Sequence, residues 1–139
     1  MKALALRAAL ALLLATFPIG CSRNGNEKSS SLARVRDLDQ STFDAEIREG
    51  VVLVDFWATW CGPCKMQAPA VEKVAAQAGD RAKITRLDID KAPEVAKRFN
   101  IHAIPTLIVF KDGKLHKKFV GLTRAGTLAS AIDSAADSK

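Results

Sequence analysis

The chain has 139 residues, 48% of them hydrophobic, and 21 Lys and Arg against 15 Asp and Glu give it a net charge of +6. That length fits one folded domain with a short extension. The basic residues alternate with acids instead of forming one stripe, which argues against nucleic acid as a partner, and three cysteines with two widely separated histidines argue against a zinc site.

Residues 1–20 have the layout of a bacterial export signal. Lys2 and Arg7 make a basic start, Ala8 to Ile19 is an almost uninterrupted apolar run, and Gly20-Cys21-Ser22 follows. The run is shorter than the ~17–25 residues of a membrane-spanning helix. A small residue before a cysteine at this place resembles the lipobox of bacterial lipoproteins, in which that cysteine is lipidated and heads the mature chain. Pro18 departs from the aliphatic residue usual there, and cleavage after Ser22 on the small-x-small pattern of Gly20 and Ser22 is the competing reading. Lipidation of Cys21 is the expectation, since it also accounts for an odd third cysteine in an exported chain. Residues 21–32 then form the lipidated cysteine and a flexible tether. Ser22 to Ser31 carry no aliphatic or aromatic side chain, and at about 5–6 Å × √n their r.m.s. reach is roughly 17 Å. Removal of Lys2 and Arg7 with the signal lowers the net charge from +6 to about +4.

The remainder, 33–139, reads as one α/β domain. A first strand is expected near Ala33 to Asp37. Ser41-Thr42-Phe43-Asp44 caps a short helix running through Glu49, and Gly50 stops it. Val51 to Trp57 is a buried strand. A helix from about Pro63 to Ala78 carries Met66, Ala70, Val71, Val74 and Ala75 on its apolar face, with a kink expected at Pro69 and an end at Gly79-Asp80. Ala82 to Ile89 alternates as a strand, Pro93 to Phe99 is a short helix, and Thr106 to Phe110 is a second buried strand. Asp112-Gly113 turns the chain into a strand from Leu115 to Val120. Thr123 caps a closing helix through about Ala135. One right-handed crossover and a terminal antiparallel hairpin make this a mixed sheet flanked by helices. Lys111, Lys114, Lys117 and Lys118 fit a solvated edge strand protected from aggregation, and His102 and His116 are given no role.

The chemistry concentrates where the strand Val51 to Trp57 ends, at Cys61-Gly62-Pro63-Cys64. Two thiols at this spacing close a small disulfide ring. Pro63 suits the first turn of a helix, which sets Cys61 at its N-terminus, where unpaired N–H groups and the helix dipole favour thiolate over thiol. Cys61 alone is expected to be exposed. A purely structural disulfide closing so tiny a ring removes little unfolded-chain entropy, so a catalytic or redox-sensing dithiol is the stronger reading. Asp55, the lone acid in an apolar run, either turns to solvent at an edge or is buried with a raised pKa. The Ile104-Pro105 bond opens a strand, where an ordinary proline would be trans.

The stretch Val54-Asp55-Phe56-Trp57-Ala58-Thr59-Trp60-Cys61-Gly62-Pro63-Cys64-Lys65-Met66 resembles the active-site segment of thioredoxin. Pro69, Asp88-Ile89-Asp90, Ile104-Pro105-Thr106, Phe110-Lys111-Asp112-Gly113, Gly121 and Gly126 follow in the family's order, so the resemblance spans about residues 33 to 136. It implies the thioredoxin fold and a thiol-disulfide oxidoreductase that needs no metal or organic cofactor. Cys61 would attack and Cys64 would resolve, with Asp55 buried behind Cys64 as its proton partner. Pro105 would be cis and face the cysteines, freeing the Ile104 backbone to pair with an extended substrate, in a groove completed by Trp60, Gly62, Pro63 and Gly121. Trp57 fits core packing equally well. The Gly-Pro spacer matches the reducing members.

Expected partners are therefore disulfide-containing proteins, an electron donor that is membrane-embedded or otherwise, and the membrane itself through the anchor, with the chain a monomer on the periplasmic side. Ser22 after the cysteine leans toward the outer membrane, whereas an electron donor is easier to meet from the inner one, so the leaflet stays open. Cytochrome c maturation reductases share the wording around the cysteines but carry an insertion before the cis-proline strand, for which Asp88 to Ile104 leaves no room. A rival from another class is a non-catalytic lipoprotein interaction module with an inert dithiol.

Overall fold

The computed structural model describes residues 35–138, and the export signal, Cys21 and the tether read above lie outside the described residues. The elements run β1 (Arg36–Leu38), α1 (Phe43–Ile47), β2 (Val51–Trp57), α2 (Gly62–Ala78), a 3-10 turn (Gly79–Arg81), β3 (Lys83–Asp88), α3 (Pro93–Arg98), β4 (Thr106–Lys111), β5 (Lys114–Val120) and α4 (Ala125–Asp137). The strands make one sheet in the order β1-β3-β2-β4-β5. β1 and β2 run parallel to β3, while β4 is antiparallel to both β2 and β5.

Strand β2 is central, so its two faces need two cores. Side chains alternate across a strand, and Val51 and Leu53 pack with Leu107, Val109, α2 and α4, whereas Val52, Val54 and Phe56 pack with Phe43, Ile108, Phe110 and α3. The second core is aromatic. Phe43, Phe99 and Phe110 set their rings 5.1 to 5.7 Å apart at tilted or edge-on angles, within the range where aromatic pairs attract. Burial on both faces explains why β2 reads as a continuous apolar run, and it leaves Asp55 on the same face as Val51 and Leu53, under α2 and α4.

Three local expectations change. The turn before α1 is organised by Asp39, whose Oδ1 accepts from the Ser41 and Thr42 amides at 2.8 Å, and hydrogen bonds led by that of the Ser41 hydroxyl hold its carboxyl down at about 2. Thr42 at the cap makes no side-chain cap bond and α1 stops at Ile47. Thr123 does not cap α4, which starts at Ala125; its hydroxyl donates to the Gly121 carbonyl instead. Met66 is exposed at 69%, and the buried stripe of α2 is Cys64, Gln67, Val71, Val74, Ala75 and Ala78. Helical residues advance about 100° each, so this stripe puts Gln67 inside and turns its neighbour Met66 out of the buried face.

α2 continues through Pro69. Asp112 and Gly113 both adopt positive φ, 47° and 79°, the conformation of a tight two-residue hairpin turn. The edge strand β5 exposes Lys114 and Lys117, but Lys118 is tied down, donating from Nζ to the carbonyls of Phe99 and Asn100 at 2.9 and 3.0 Å. His102 is exposed and His116 partly buried.

Candidate active site

β2 delivers the chain to the surface at Trp57, and the turn that follows places Cys61 as the N-cap of α2 in extended conformation, with φ −82° and ψ 105°. Cys61 and Cys64 are joined as a disulfide with their Cα atoms 5.3 Å apart. The Cys64 amide donates to Cys61 Sγ at 3.1 Å. This bonded sulfur occupies the place a thiolate would take in the reduced form, so the same N–H is aimed at the atom that would carry charge, at the positive end of a 17-residue helix.

Both cysteines are buried, at 4% and 3% exposure, so exposure does not single out Cys61. Position does. Gly62 and Pro63 are exposed around it, and Cys61 Sγ lies 3.8 Å from the Ile104 carbonyl oxygen. The Ile104–Pro105 peptide is cis, and the Pro105 carbonyl accepts from the Gly121 amide at 2.8 Å. Gly121 itself sits at φ +87° with open space around it, so the backbone conformation, not crowding, favours glycine there. The dithiol, the cis-proline backbone and the Gly121 loop are thus one linked surface.

Its rim is apolar. Trp60 is 67% exposed, and Val120 and Leu122 on either side of Gly121 are 63% and 56% exposed. The Trp60 indole is not free to swing, because Nε1 donates to Asp90 Oδ2 at 2.8 Å. Trp57 is partly buried, packed against the cysteine cluster, with the Arg86 guanidinium 5.0 Å above its ring.

Asp55 is buried at 4% exposure, and its Oδ1 has no hydrogen-bond partner. Burial pushes its carboxyl up to about 7, against a smaller downward pull from Arg86. Arg86 is its register partner on β3, yet the guanidinium is committed to Asp37, with Nε to Oδ1 at 2.5 Å and Nη2 to Oδ2 at 3.2 Å. The carboxyl is left without a direct ion pair and is poised to exchange a proton near neutral pH.

Reading the sequence named Asp90 only within the family resemblance, with no role, and missed Arg86 and Gln67. Gln67 is 1% exposed; its Oε1 accepts from the Thr123 amide at 2.8 Å and its Nε2 donates to the Thr123 carbonyl at 2.9 Å. The spacing Val71, Val74, Ala75, Ala78 extended backward carries the signal for Gln67. No local signal carries the other two, which pair across the fold.

The thioredoxin family profile matches residues 34–134. The chain belongs to the thioredoxin family. It is 48% identical over 103 residues to thioredoxins of several Staphylococcus aureus strains, a match that covers 74% of this chain and 96% of theirs. Among solved structures, a mutant thioredoxin from Halobacterium salinarum superposes with a TM-score of 0.72 at 32% identity, covering 80% of this chain and 98% of that one. The Malassezia sympodialis thioredoxin gives 0.66 at 36% identity, covering 74% and 91%. As a thioredoxin-family protein with a redox-active dithiol pair, the chain is a protein-disulfide reductase. Among the described residues, no group of three or more His, Cys, Asp or Glu side chains is placed to hold a metal ion, and no helix is long and apolar enough to cross a membrane.

Proposed function

We propose that this thioredoxin-family protein works on the periplasmic side of the bacterial envelope as a tethered reductase of protein disulfides, with Cys61 as nucleophile, Cys64 as resolving thiol and Asp55 as proton partner. The observation that carries the reading is the aim of the Cys64 amide at Cys61 Sγ beside the Ile104 carbonyl. Cys61 thiolate attacks one sulfur of a substrate disulfide, forming the mixed disulfide and expelling the other substrate sulfur as a thiolate. Asp55 accepts the Cys64 proton, and the Cys64 thiolate attacks Cys61 Sγ, expelling the second substrate thiolate. The substrate gains two electrons and the enzyme disulfide records their loss; a dithiol donor restores it. An extended substrate segment pairs with the Ile104 backbone and lies against Trp60 and Gly121.

The Gly62-Pro63 spacer supports the reducing direction. Between α2 and Ile104 the chain holds only the 3-10 turn, β3 and the six-residue α3, which disfavours the cytochrome c maturation type. The test is insulin reduction with dithiothreitol as donor, together with iodoacetamide labelling of the reduced protein at mildly acidic pH. Turnover with Cys61 labelled first is expected. No turnover, or Cys64 labelled first, would remove the reading or its assignment of nucleophile.

Export and anchoring rest on the basic start, the apolar run and Gly20-Cys21. Cys21→Ser should move the protein from the membrane to the soluble fraction without lowering insulin reduction in vitro, because the tether separates anchor from fold. Fractionation of expressing cells checks this, and a wild-type protein already soluble would overturn it.

A further inference from the structure

We propose that Gln67 is a positioning residue that sets the preference of this enzyme for protein over small disulfides, by clamping the Gly121–Thr123 loop to the helix that carries the dithiol. The proposal rests on the reading of the site given above. Leu122 and Val120 face solvent, so their own burial cannot anchor the loop they stand on. Gly121 is held at one end by the Pro105 carbonyl, and Thr123 at the other end lies outside both β5 and α4, with no helix or strand neighbour to satisfy its amide and carbonyl. The Gln67 carboxamide supplies both a donor and an acceptor to that one residue, as a neighbouring strand would. Every other member of the buried stripe of α2 is apolar or the cysteine itself, and a buried amide is favourable only when fully paired. The pairing thus ties the apolar rim to a point on α2 one helical turn from Cys64.

A protein substrate long enough to lie along Ile104 meets Val120 and Leu122; a small aromatic disulfide reaches only the sulfur. Gln67→Leu removes the clamp while keeping the position buried. The expected result is a KM for insulin raised about fivefold with kcat nearly unchanged, and a several-fold smaller loss of kcat/KM for a small aromatic disulfide. The Thr123 amide should also exchange hydrogen faster. Gln67→Glu offers a second route, needed if the leucine variant fails to fold. Its neutral acid presents the same donor and acceptor, so the ratio of insulin to small-disulfide efficiency should recover as pH is lowered and fall as the carboxyl ionises against the Thr123 carbonyl. Equal losses on both disulfides, a loss confined to kcat, or an unchanged ratio in both variants would overturn the proposal. Wild-type protein inactive on insulin would instead overturn the functional reading beneath it.

Discussion

Cys64→Ser should halt the enzyme after one attack, covalently joined to its substrate. Cys61 keeps its place at the N-cap of α2, and the residue 64 amide still points at its sulfur, so the first exchange proceeds. The second exchange has lost its attacking thiol, and only thiols from solution, lacking the advantage of a nucleophile held within the same small ring, can clear the mixed disulfide. Insulin turnover should fall to a single event per enzyme molecule on the assay timescale. Non-reducing gels should show one-to-one adducts that vanish with reductant and are absent from the Cys61→Ser, Cys64→Ser double variant. Mass spectrometry of adducts from envelope extracts would identify the substrates. A Cys64→Ser protein that turns over like wild type, or one that traps nothing while wild type reduces insulin, would show that resolution does not run through Cys64.

Asp55→Asn should stabilise the oxidised protein strongly at alkaline pH and hardly at all in acid. The carboxyl is pushed up to about 7 in the fold from an ordinary value of 3.8, so the unfolded chain releases its proton first. Below about pH 4 both states hold the proton and the group costs nothing. As pH rises from there to about 7 the unfolded state gains, and stability declines by as much as about 1.4 kcal/mol per pH unit. The accumulated penalty is roughly 4 kcal/mol above pH 7. Asparagine cannot ionise and should remove that slope. Urea unfolding of both proteins at pH 4 and pH 8 measures it, and parallel stability profiles would mean that Asp55 is not buried as the fold has it. If the carboxyl takes the proton of Cys64 as proposed, the same variant should slow attack by Cys64 more than attack by Cys61. Stopped-flow traces showing equal slowing of both steps would remove that role.

Taken together, the two variants separate the uses of one buried acid and one buried thiol. A residue that destabilises the fold at the pH where the enzyme works is understandable if the proton it exchanges is needed there. Arg86 limits the cost without abolishing it. Its guanidinium lies beside Asp55 in register but is bonded to Asp37 and stacked over Trp57, so Asp55 is neither fully neutralised nor left in a wholly apolar surrounding.

The cysteine spacing, Pro63 after Cys61, the order of strands and helices, and the Asp112-Gly113 turn were legible in the amino-acid sequence because each depends on neighbours within a few residues: ring size, fixed φ, side-chain period, a turn that needs positive φ. The placement of α2 around its own axis was legible only in part, because the spacing of Val71, Val74, Ala75 and Ala78 points back to position 67 while the apolar character of Met66 points to its neighbour. Met66 is more apolar than Gln67, yet the sheet and α4 take the face of Val71, Val74, Ala75 and Ala78, and that rotation carries Gln67 inward and Met66 out. Nor could a local reading weigh the partners that make such burial acceptable: Thr123 stands 56 residues from Gln67, Asp90 stands 30 from Trp60, and Asp37 stands 49 from Arg86. Local stereochemistry settles where the thiols and turns fall, while the environment of each polar side chain is settled only when distant segments close around it, since desolvation and hydrogen bonding are properties of the packed neighbours and not of the residue.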